Sequence, residues 1–294
     1  MSAKKTYAGW NVSGFNRGWI FRLSDLGCGL LPKRTAYALS DSLMDWYQGF
    51  RPKVADAIAD NLRGAFPNWS KSEAERHAAG TFQQYGRGVV DYLRASRDPP
   101  RVIPAEGAAE RLASVPGGKI LVTAHMGNWE VGGYYIGRVI GHHIMVGFPE
   151  QDGGVEKFRQ ERRQSAGHTT LIARQGLSTL FRLRSALEKG ESVVVLADRA
   201  VDNDRIGVAF RGRPAHFLKS PALLAQLTRA PILPVAVVCE GQGEYSAHVG
   251  EPIHSHDGSD AGGLMQRVAD FFGTILERYP DQWYNFFPYW REDA

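Results

Sequence analysis

The 294-residue sequence has only two cysteines, Cys28 and Cys239, which lie far apart along the chain. No paired spacing suggests a disulfide framework or a structural zinc site, so a reducing cytoplasm is the expected compartment. The sequence has no run of about 18 uninterrupted apolar residues, and its N-terminal segment has no apolar core of the signal-peptide type. Any contact with a membrane is therefore expected to be peripheral.

The sequence also lacks a large excess of either positive or negative charge. The formal net charge is +4, and no run of five or more basic residues occurs, which argues against a nucleic-acid partner. The composition, 43% hydrophobic and 22% charged, is typical of a folded protein. A mildly basic chain rich in aromatic residues is compatible with an anionic membrane surface or an acidic carrier.

Several catalytic and metal-binding patterns are absent. The sequence has no G-x-S-x-G nucleophile elbow, which argues against an ordinary serine hydrolase. The cluster at residues 254–257 (HSHD) lies between Pro252 and Gly258 and has no companion ligands, so we predict a solvated loop without a metal. The pair His142-His143 is likewise predicted to be solvated.

The first 100 residues have helical patterns. Pro32 suits the start of one helix, and residues 52–65 form a second. Residues 70–73 (SKSE) form a capping box that opens a third helix, which is expected to run to about Ala95. The sequence therefore predicts an N-terminal helical layer.

From Gly117 onward the pattern changes to alternating strands and helices. Residues 119–124, 193–197 and 232–238 are short apolar runs of the kind that form strands buried on both faces. Helical patterns occupy residues 176–189, 220–228 and 263–279. The prediction is an α/β fold with a mostly parallel sheet flanked by helices. We expect one domain, 1–294, with a helical layer (1–100) and an α/β catalytic core (101–294).

His125 directly follows the first of these strands, at the sheet edge where sites of open α/β folds gather. A turn containing Gly127 and Asn128 can fold Glu130 back toward the imidazole. Glu130 would then hold one ring nitrogen, and the other would remove a proton from a substrate hydroxyl. The alternative is a structural histidine followed by a carboxylate at a helix N-terminus.

Segments around this pair resemble the bacterial lipid A biosynthesis acyltransferases, the late lauroyl and myristoyl transferases, and the related enzymes that acylate phosphatidylinositol mannosides. Residues 122–130 (VTAHMGNWE) are similar to their His-four residues-acid motif. Further similar blocks follow the family's order: residues 61–69 (NLRGAFPNW), 188–199 (EKGESVVVLADR), 210–214 (FRGRP) and 280–290 (PDQWYNFFPYW). Two features differ from the lipid A enzymes: no N-terminal transmembrane anchor is seen, and Asp198-Arg199 stands where Asp-Gln is common.

The resemblance implies a glycerolipid-acyltransferase-like fold on the cytoplasmic face of the inner membrane, held there peripherally. His125 would be the general base and Glu130 its partner. The acyl donor would be a thioester of acyl carrier protein or coenzyme A, the acceptor a lipid or glycolipid hydroxyl. No cofactor or metal is required.

Substrate-binding candidates follow from the charge that develops on the thioester oxygen, which needs preorganised donors. Backbone N–H groups at Gly127 and Asn128 are two, and Arg199 is a third. Arg199 and Arg174 are also candidates for phosphate binding. Alternatively, Arg199 pairs with nearby aspartates, and Arg174 is a solvated loop residue.

The N-terminal aromatic and apolar residues, interleaved with Arg17 and Arg22, suit an interfacial membrane anchor. Alternatively, they cover the core beneath the first helices. The residues concerned are Trp10, Phe15, Trp19, Ile20, Phe21 and Leu23. Two functions compete with acyl transfer: a thioesterase or lipid hydrolase whose histidine activates water, and a non-catalytic lipid-binding protein.

Overall fold

The structure of the protein is a computed structural model that describes residues 17–150, 152–173, 177–201, 203–256 and 258–290. Its helices are α1 Gly18–Leu30, α2 Lys33–Phe50, α3 Pro52–Ala65, α4 Lys71–Arg94, α5 Ala108–Ser114, α6 Trp129–Ile140, α7 Gly153–Ser165, α8 Leu177–Glu188, α9 Ser220–Thr228 and α10 Ala261–Arg278. Its strands are β1 Arg101–Pro104, β2 Ile120–Thr123, β3 His143–Gly147, β4 Thr169–Ile172, β5 Ser192–Leu196, β6 Ile206–Phe210, β7 Arg213–Phe217, β8 Ile232–Gly241 and β9 Glu244–Val249.

The predicted N-terminal helices form as expected. Pro32 precedes α2, and Pro52 occupies the first turn of α3, where its missing N–H costs nothing. Ser70 caps α4: its side chain accepts from the Glu73 N–H, and the Glu73 carboxylate accepts from the Ser70 N–H. The sequence did not predict α1 as a helix.

Seven strands form one sheet in the order β1-β9-β8-β2-β5-β3-β4. The pairs β2–β5, β2–β8, β3–β5, β3–β4 and β1–β9 are parallel, whereas β8–β9 is antiparallel. Strands β6 and β7 form a separate antiparallel ribbon. The prediction of a mostly parallel sheet flanked by helices is confirmed. The edge strands were missed because they are short and partly exposed, as β1 shows.

Helices cover both faces of the sheet, so β2 is fully buried, as are most residues of β5 and β8. In β2, Ile120 and Val122 face a core that includes α3, α4 and α10, whereas Leu121 faces α5 and α6. The larger core joins residues of the N-terminal helices to residues of the strands. This continuous packing fixes the carboxyl edge of β2 relative to α4.

No helix in the described ranges combines the length and apolar character needed to cross a bilayer.

Candidate active site

His125 and Asp198 lie side by side at the carboxyl edge of the sheet. Strands β2 and β5 pair in parallel with Thr123 opposite Leu196. His125 and Asp198 each stand two residues beyond these partners. The strand register therefore brings together two residues that are 73 positions apart in the chain.

The Asp198 carboxylate holds the His125 ring. Its Oδ1 accepts from the His125 backbone N–H at 2.9 Å and from ring Nδ1 at 2.7 Å. An ionised carboxylate only accepts hydrogen bonds, so Nδ1 carries the ring proton. The lone pair of the neutral ring is then on Nε2, the atom that can take a proton from a hydroxyl.

The carboxylate on the His125 ring is therefore not that of Glu130, and the predicted His125–Glu130 contact is wrong. Glu130 instead forms a bidentate ion pair with Arg163 of α7, at 2.5 and 3.1 Å. Helix α6 begins at Trp129, so Glu130 lies in its first turn, where a strand-end turn cannot bend it back. The alternative of a helix N-terminal carboxylate describes this position better.

The Glu130–Arg163 pair is buried, with both side chains about one-tenth exposed. Burial alone would raise the pKa of Glu130, but the Arg163 guanidinium outweighs it and holds the pKa below its ordinary value. Both groups are therefore ionised at neutral pH. The pair ties the first turn of α6 to α7, and thus fixes the helix that follows the turn after His125.

His125 is uncharged at neutral pH. Burial lowers its pKa to about 4, and the nearby positive charge of Arg199 acts in the same direction. Asp198 favours the charged ring but does not overcome these effects. A neutral imidazole is the protonation state that a general base requires before proton transfer.

The turn between His125 and α6 is held by backbone bonds. The Gly127 N–H donates to the Gln282 carbonyl at 2.8 Å, and the Asn128 N–H donates to the Val237 carbonyl at 2.7 Å. Neither N–H is open to an oxyanion, so the prediction that these two groups bind substrate needs correction. Their hydrogen bonds build the turn instead.

Gly127 is required by this geometry. Its φ is +62°, and a Cβ would stand 2.1 Å from the Val237 carbonyl oxygen. A side chain at this position is excluded both by the left-handed backbone and by the close contact.

Asn128 is positioned by a buried hydrogen-bond network. Its Oδ1 accepts from the Val131 N–H and caps α6, while its Nδ2 donates to the Tyr245 hydroxyl at 3.2 Å. That hydroxyl donates to buried Asp91 of α4 at 2.6 Å. Asp91 also accepts from the Tyr37 hydroxyl at 2.6 Å. The network links α2 and α4 to the turn after His125, so Asn128 has a structural role here.

Arg199 lies against the C-terminal segment. Its Nε donates to Asn285 Oδ1 at 2.7 Å, its Nη2 donates to the Tyr284 carbonyl, and the guanidinium lies 5.2 Å from the centre of the Phe287 ring. Burial lowers the pKa of Arg199, which still remains a cation at neutral pH. Its charge is close enough to act on His125. Arg174 lies outside the described residues.

The C-terminal segment also completes the site. The Tyr284 N–H donates to the His125 carbonyl at 2.8 Å, and Met126 forms an isolated bridge with Trp283. The segment therefore pairs with the turn after His125. The sequence identified it as one of the blocks that resemble the family but did not predict this contact.

A narrow apolar cavity of about 10 Å³ lies next to the turn, between α6 and the sheet. Trp129 lines it, and the Trp129 ring lies 5.3 Å from the His125 ring, centre to centre. The other lining residues are Leu121, Thr123, Gly132, Ile136, Val194, Val235 and Val237. Apolar surface therefore reaches the immediate neighbourhood of His125.

Two further histidine predictions can be compared with the structure. His143 is fully buried in β3, so the prediction that it is solvated is wrong; it stacks on buried His168 at 4.6 Å. His142 is half exposed. Among the described residues, no group of three or more His, Cys, Asp or Glu side chains has the arrangement of a metal site.

Sequence reasoning missed Asp198 and Arg163 as members of the site. For Asp198 a signal existed, because it follows a buried strand as His125 does. Nothing in the sequence indicated that β2 and β5 are neighbours. Arg163 lies on a solvent-facing helix pattern with many charges and gave no signal.

The fold and site define a class: α/β proteins in which a histidine just after one strand is held by a carboxylate just after the neighbouring parallel strand. Residues 16–292 match the family described as bacterial lipid A biosynthesis acyltransferase. The chain belongs to this family.

Two curated relatives are phosphatidylinositol mannoside acyltransferases. The Mycobacterium tuberculosis protein is 25% identical over 206 residues, which are 70% of this chain and 65% of that protein. The Mycolicibacterium smegmatis protein is 27% identical over 177 residues, 60% of this chain and 58% of that protein. The match thus spans less than two thirds of the length of either relative.

Proposed function

We propose that the protein is an O-acyltransferase that moves a fatty acyl chain from a thioester of acyl carrier protein or coenzyme A to a hydroxyl of a membrane lipid or glycolipid. The observation that carries this proposal is the His125–Asp198 pair at the carboxyl edge of the sheet. Membership of the family supports acyl transfer. The names of the mycobacterial relatives favour an acceptor of the phosphatidylinositol mannoside type, and the family description favours one of the lipid A type.

In the proposed reaction, His125 Nε2 takes the proton of the acceptor hydroxyl as its oxygen attacks the thioester carbonyl carbon. The resulting imidazolium is stabilised by Asp198, which holds Nδ1. When the tetrahedral intermediate collapses, the C–S bond breaks and the thiolate takes the proton from Nε2. The products are an ester and a free thiol on the carrier, and no metal or cofactor enters the balance.

The charge on the thioester oxygen needs a donor. The Gly127 and Asn128 N–H groups each donate their one hydrogen bond to another acceptor. Arg199 also donates, to Asn285 Oδ1 and the Tyr284 carbonyl, but its positive charge can still act on an oxyanion. Its charge already acts on His125.

The acceptor lies in a membrane, so we further propose that the protein works at the cytoplasmic face of the inner membrane as a peripheral protein. The alternative function, hydrolysis of a thioester or lipid ester, uses the same base with water as the attacking group. The site geometry suits both, and the family favours transfer.

The test is acyl transfer by the purified protein, with acyl-CoA and acyl carrier protein thioesters offered alongside glycolipid acceptors. We expect wild type to form acylated lipid and His125→Ala to form none while keeping its melting temperature. His142→Ala, a change at a half-exposed histidine, is the matched control and should keep wild-type rates. Near-wild-type transfer by His125→Ala would refute the mechanism, and release of free fatty acid without acylated lipid would establish the hydrolase.

A further inference from the structure

Helices α1 and α2 carry an unusual concentration of exposed apolar side chains. Of the twelve large hydrophobic residues exposed in the described part of the chain, eight lie on these two helices. Each of the eight is between 48% and 76% exposed. They are Trp19, Leu23, Leu26 and Leu30 on α1, and Leu39, Leu43, Trp46 and Phe50 on α2; we call them the two apolar stripes.

Both stripes have the same spacing. Along each helix the apolar residues follow one another at intervals of four, three and four positions. This spacing keeps them on one face of an α-helix. Each helix thus presents a continuous apolar face that other described parts of the chain leave exposed.

The opposite faces of α1 and α2 pack on α4, along one line of α4 residues. On α2, Tyr37, Asp41 and Asp45 bond to Asp91, Arg87 and Gln83. At the end of α1, the Cys28 and Leu31 carbonyls accept from Arg94. Positions 83, 87, 91 and 94 share one face of α4. Both helices therefore contact the same face of α4, and each apolar stripe lies on the face of its helix that is turned away from these contacts.

The acidic residues of α1 and α2 are turned away from this surface. Asp25 pairs with Arg97 and Arg162, Asp41 pairs with Arg87, and Asp45 accepts from Gln83. Two exposed basic residues adjoin α2 in sequence: Arg34 in its first turn and Lys53 just after its end. Large apolar and aromatic side chains flanked by cations match the headgroup region of an anionic bilayer.

The two helices that carry the stripes are also connected to the candidate site through their inner faces. On the inner face of α1, Phe21 packs on Phe158 at 5.7 Å and under Arg159. The charge of Arg159 acts on His125. On the inner face of α2, Tyr37 begins the network that runs through Asp91 to the turn after His125. A bilayer against the stripes would lie beside the site that takes its lipid.

We propose that the two apolar stripes together form the docking surface for an anionic lipid bilayer, one stripe on each of two consecutive helices. This rests on the proposed function, because a membrane-lipid acceptor is what requires docking. The proposed surface adds residues of α2 to the predicted N-terminal anchor and includes only some of the residues predicted for it. Trp19 and Leu23 belong to the surface, whereas Phe21 packs inward; Trp10 and Phe15 lie outside the described residues.

The test measures binding of the full chain to vesicles of phosphatidylcholine with 30% phosphatidylglycerol, by co-sedimentation. One variant changes Leu23 and Leu26 to Gln, a second changes Leu43 and Phe50 to Gln, and a third combines all four. We expect each stripe variant to lose at least about tenfold in vesicle affinity, and the combined variant to lose more. The matched control changes Phe181 and Leu227, which are exposed elsewhere, to Gln and should bind as wild type does.

A second measurement separates docking from catalysis. Acyl transfer in detergent solution, where no bilayer is present, should be unchanged in the stripe variants. If wild type has no transferase activity at all, the proposed function fails. The vesicle-binding measurement would still test whether the stripes form the docking surface. Undiminished vesicle binding by the combined variant would overturn the proposal. A wild-type dimer that the combined variant converts to a monomer, with vesicle binding unchanged, would assign the stripes to self-association.

Discussion

Asp198→Asn is the most informative single change in this protein. Asparagine has nearly the same shape as aspartate, and its amide oxygen can still accept a hydrogen bond at the position of Oδ1. What it removes is the negative charge beside the His125 ring, whose Nδ1 lies 2.7 Å from Oδ1. The change therefore separates the charge of Asp198 from its space-filling role.

The size of the effect follows from the charge that His125 acquires during proton transfer. Two unit charges about 4 Å apart interact by roughly 4 kcal/mol at an effective dielectric constant of about 20. Because about 1.36 kcal/mol corresponds to a factor of ten in rate, the loss is about a thousandfold. Loss of control over the ring tautomer adds to this, so we expect a decrease in turnover of about 10³ to 10⁴.

The pH dependence provides a second readout. Asp198 raises the pKa of His125, which burial nevertheless holds at about 4. In wild type the rate should rise as pH increases through about 4 and remain level from about pH 6 to 8. Without the Asp198 charge the pKa falls further, so the Asp198→Asn rate should be low and level over the same range.

The assay is the initial rate of acyl transfer from a labelled thioester, normalised to folded protein by circular dichroism. Glu130→Gln is the paired comparison. It leaves the His125–Asp198 contact intact but breaks the buried pair with Arg163, which should cost about 3 to 5 kcal/mol of unfolding free energy. If Asp198→Asn turned over within tenfold of wild type while folded Glu130→Gln was inactive, Asp198 would not be the orienting group.

Two further predictions concern stability. Gly127→Ala should lower the unfolding free energy by more than about 3 kcal/mol, because the new Cβ would clash with the Val237 carbonyl oxygen and the backbone has a positive φ. Urea unfolding measures this change. A loss under about 1 kcal/mol would contradict the turn geometry. Burial lowers the pKa of His168 to about 4. The unfolded chain therefore takes up a proton at this ring before the folded protein does, and the free energy of unfolding decreases as pH falls from about 6.5 toward 4. The decrease due to His168 is up to about 3 kcal/mol. Urea unfolding at pH 7 and pH 5 should show His168→Gln losing less stability on acidification than wild type, with His142→Gln as control; equal losses would show that His168 is not responsible.

The sequence was sufficient to predict much of the fold. The α3 and α9 boundaries, the capping box of α4 and the three buried strands follow from local rules of periodicity, capping and apolar runs. Strands such as β1 and β4 were not predicted, because their residues are partly exposed and have no strong alternation. His143 was predicted to be solvated because a pair of adjacent histidines gives no indication of burial.

At the site, the sequence predicted His125 as the candidate base and predicted its place in the fold. A buried strand running directly into His125 puts that side chain at the carboxyl edge of the sheet, and five ordered blocks indicated the family. The partner of the base was decided by tertiary structure alone. Glu130 is five residues from His125, but it lies in the first turn of α6 and does not contact the ring. Asp198 is 73 residues from His125, and the register of β2 and β5 places it beside the ring. Strand order depends on packing across the whole sheet, and local sequence does not contain it.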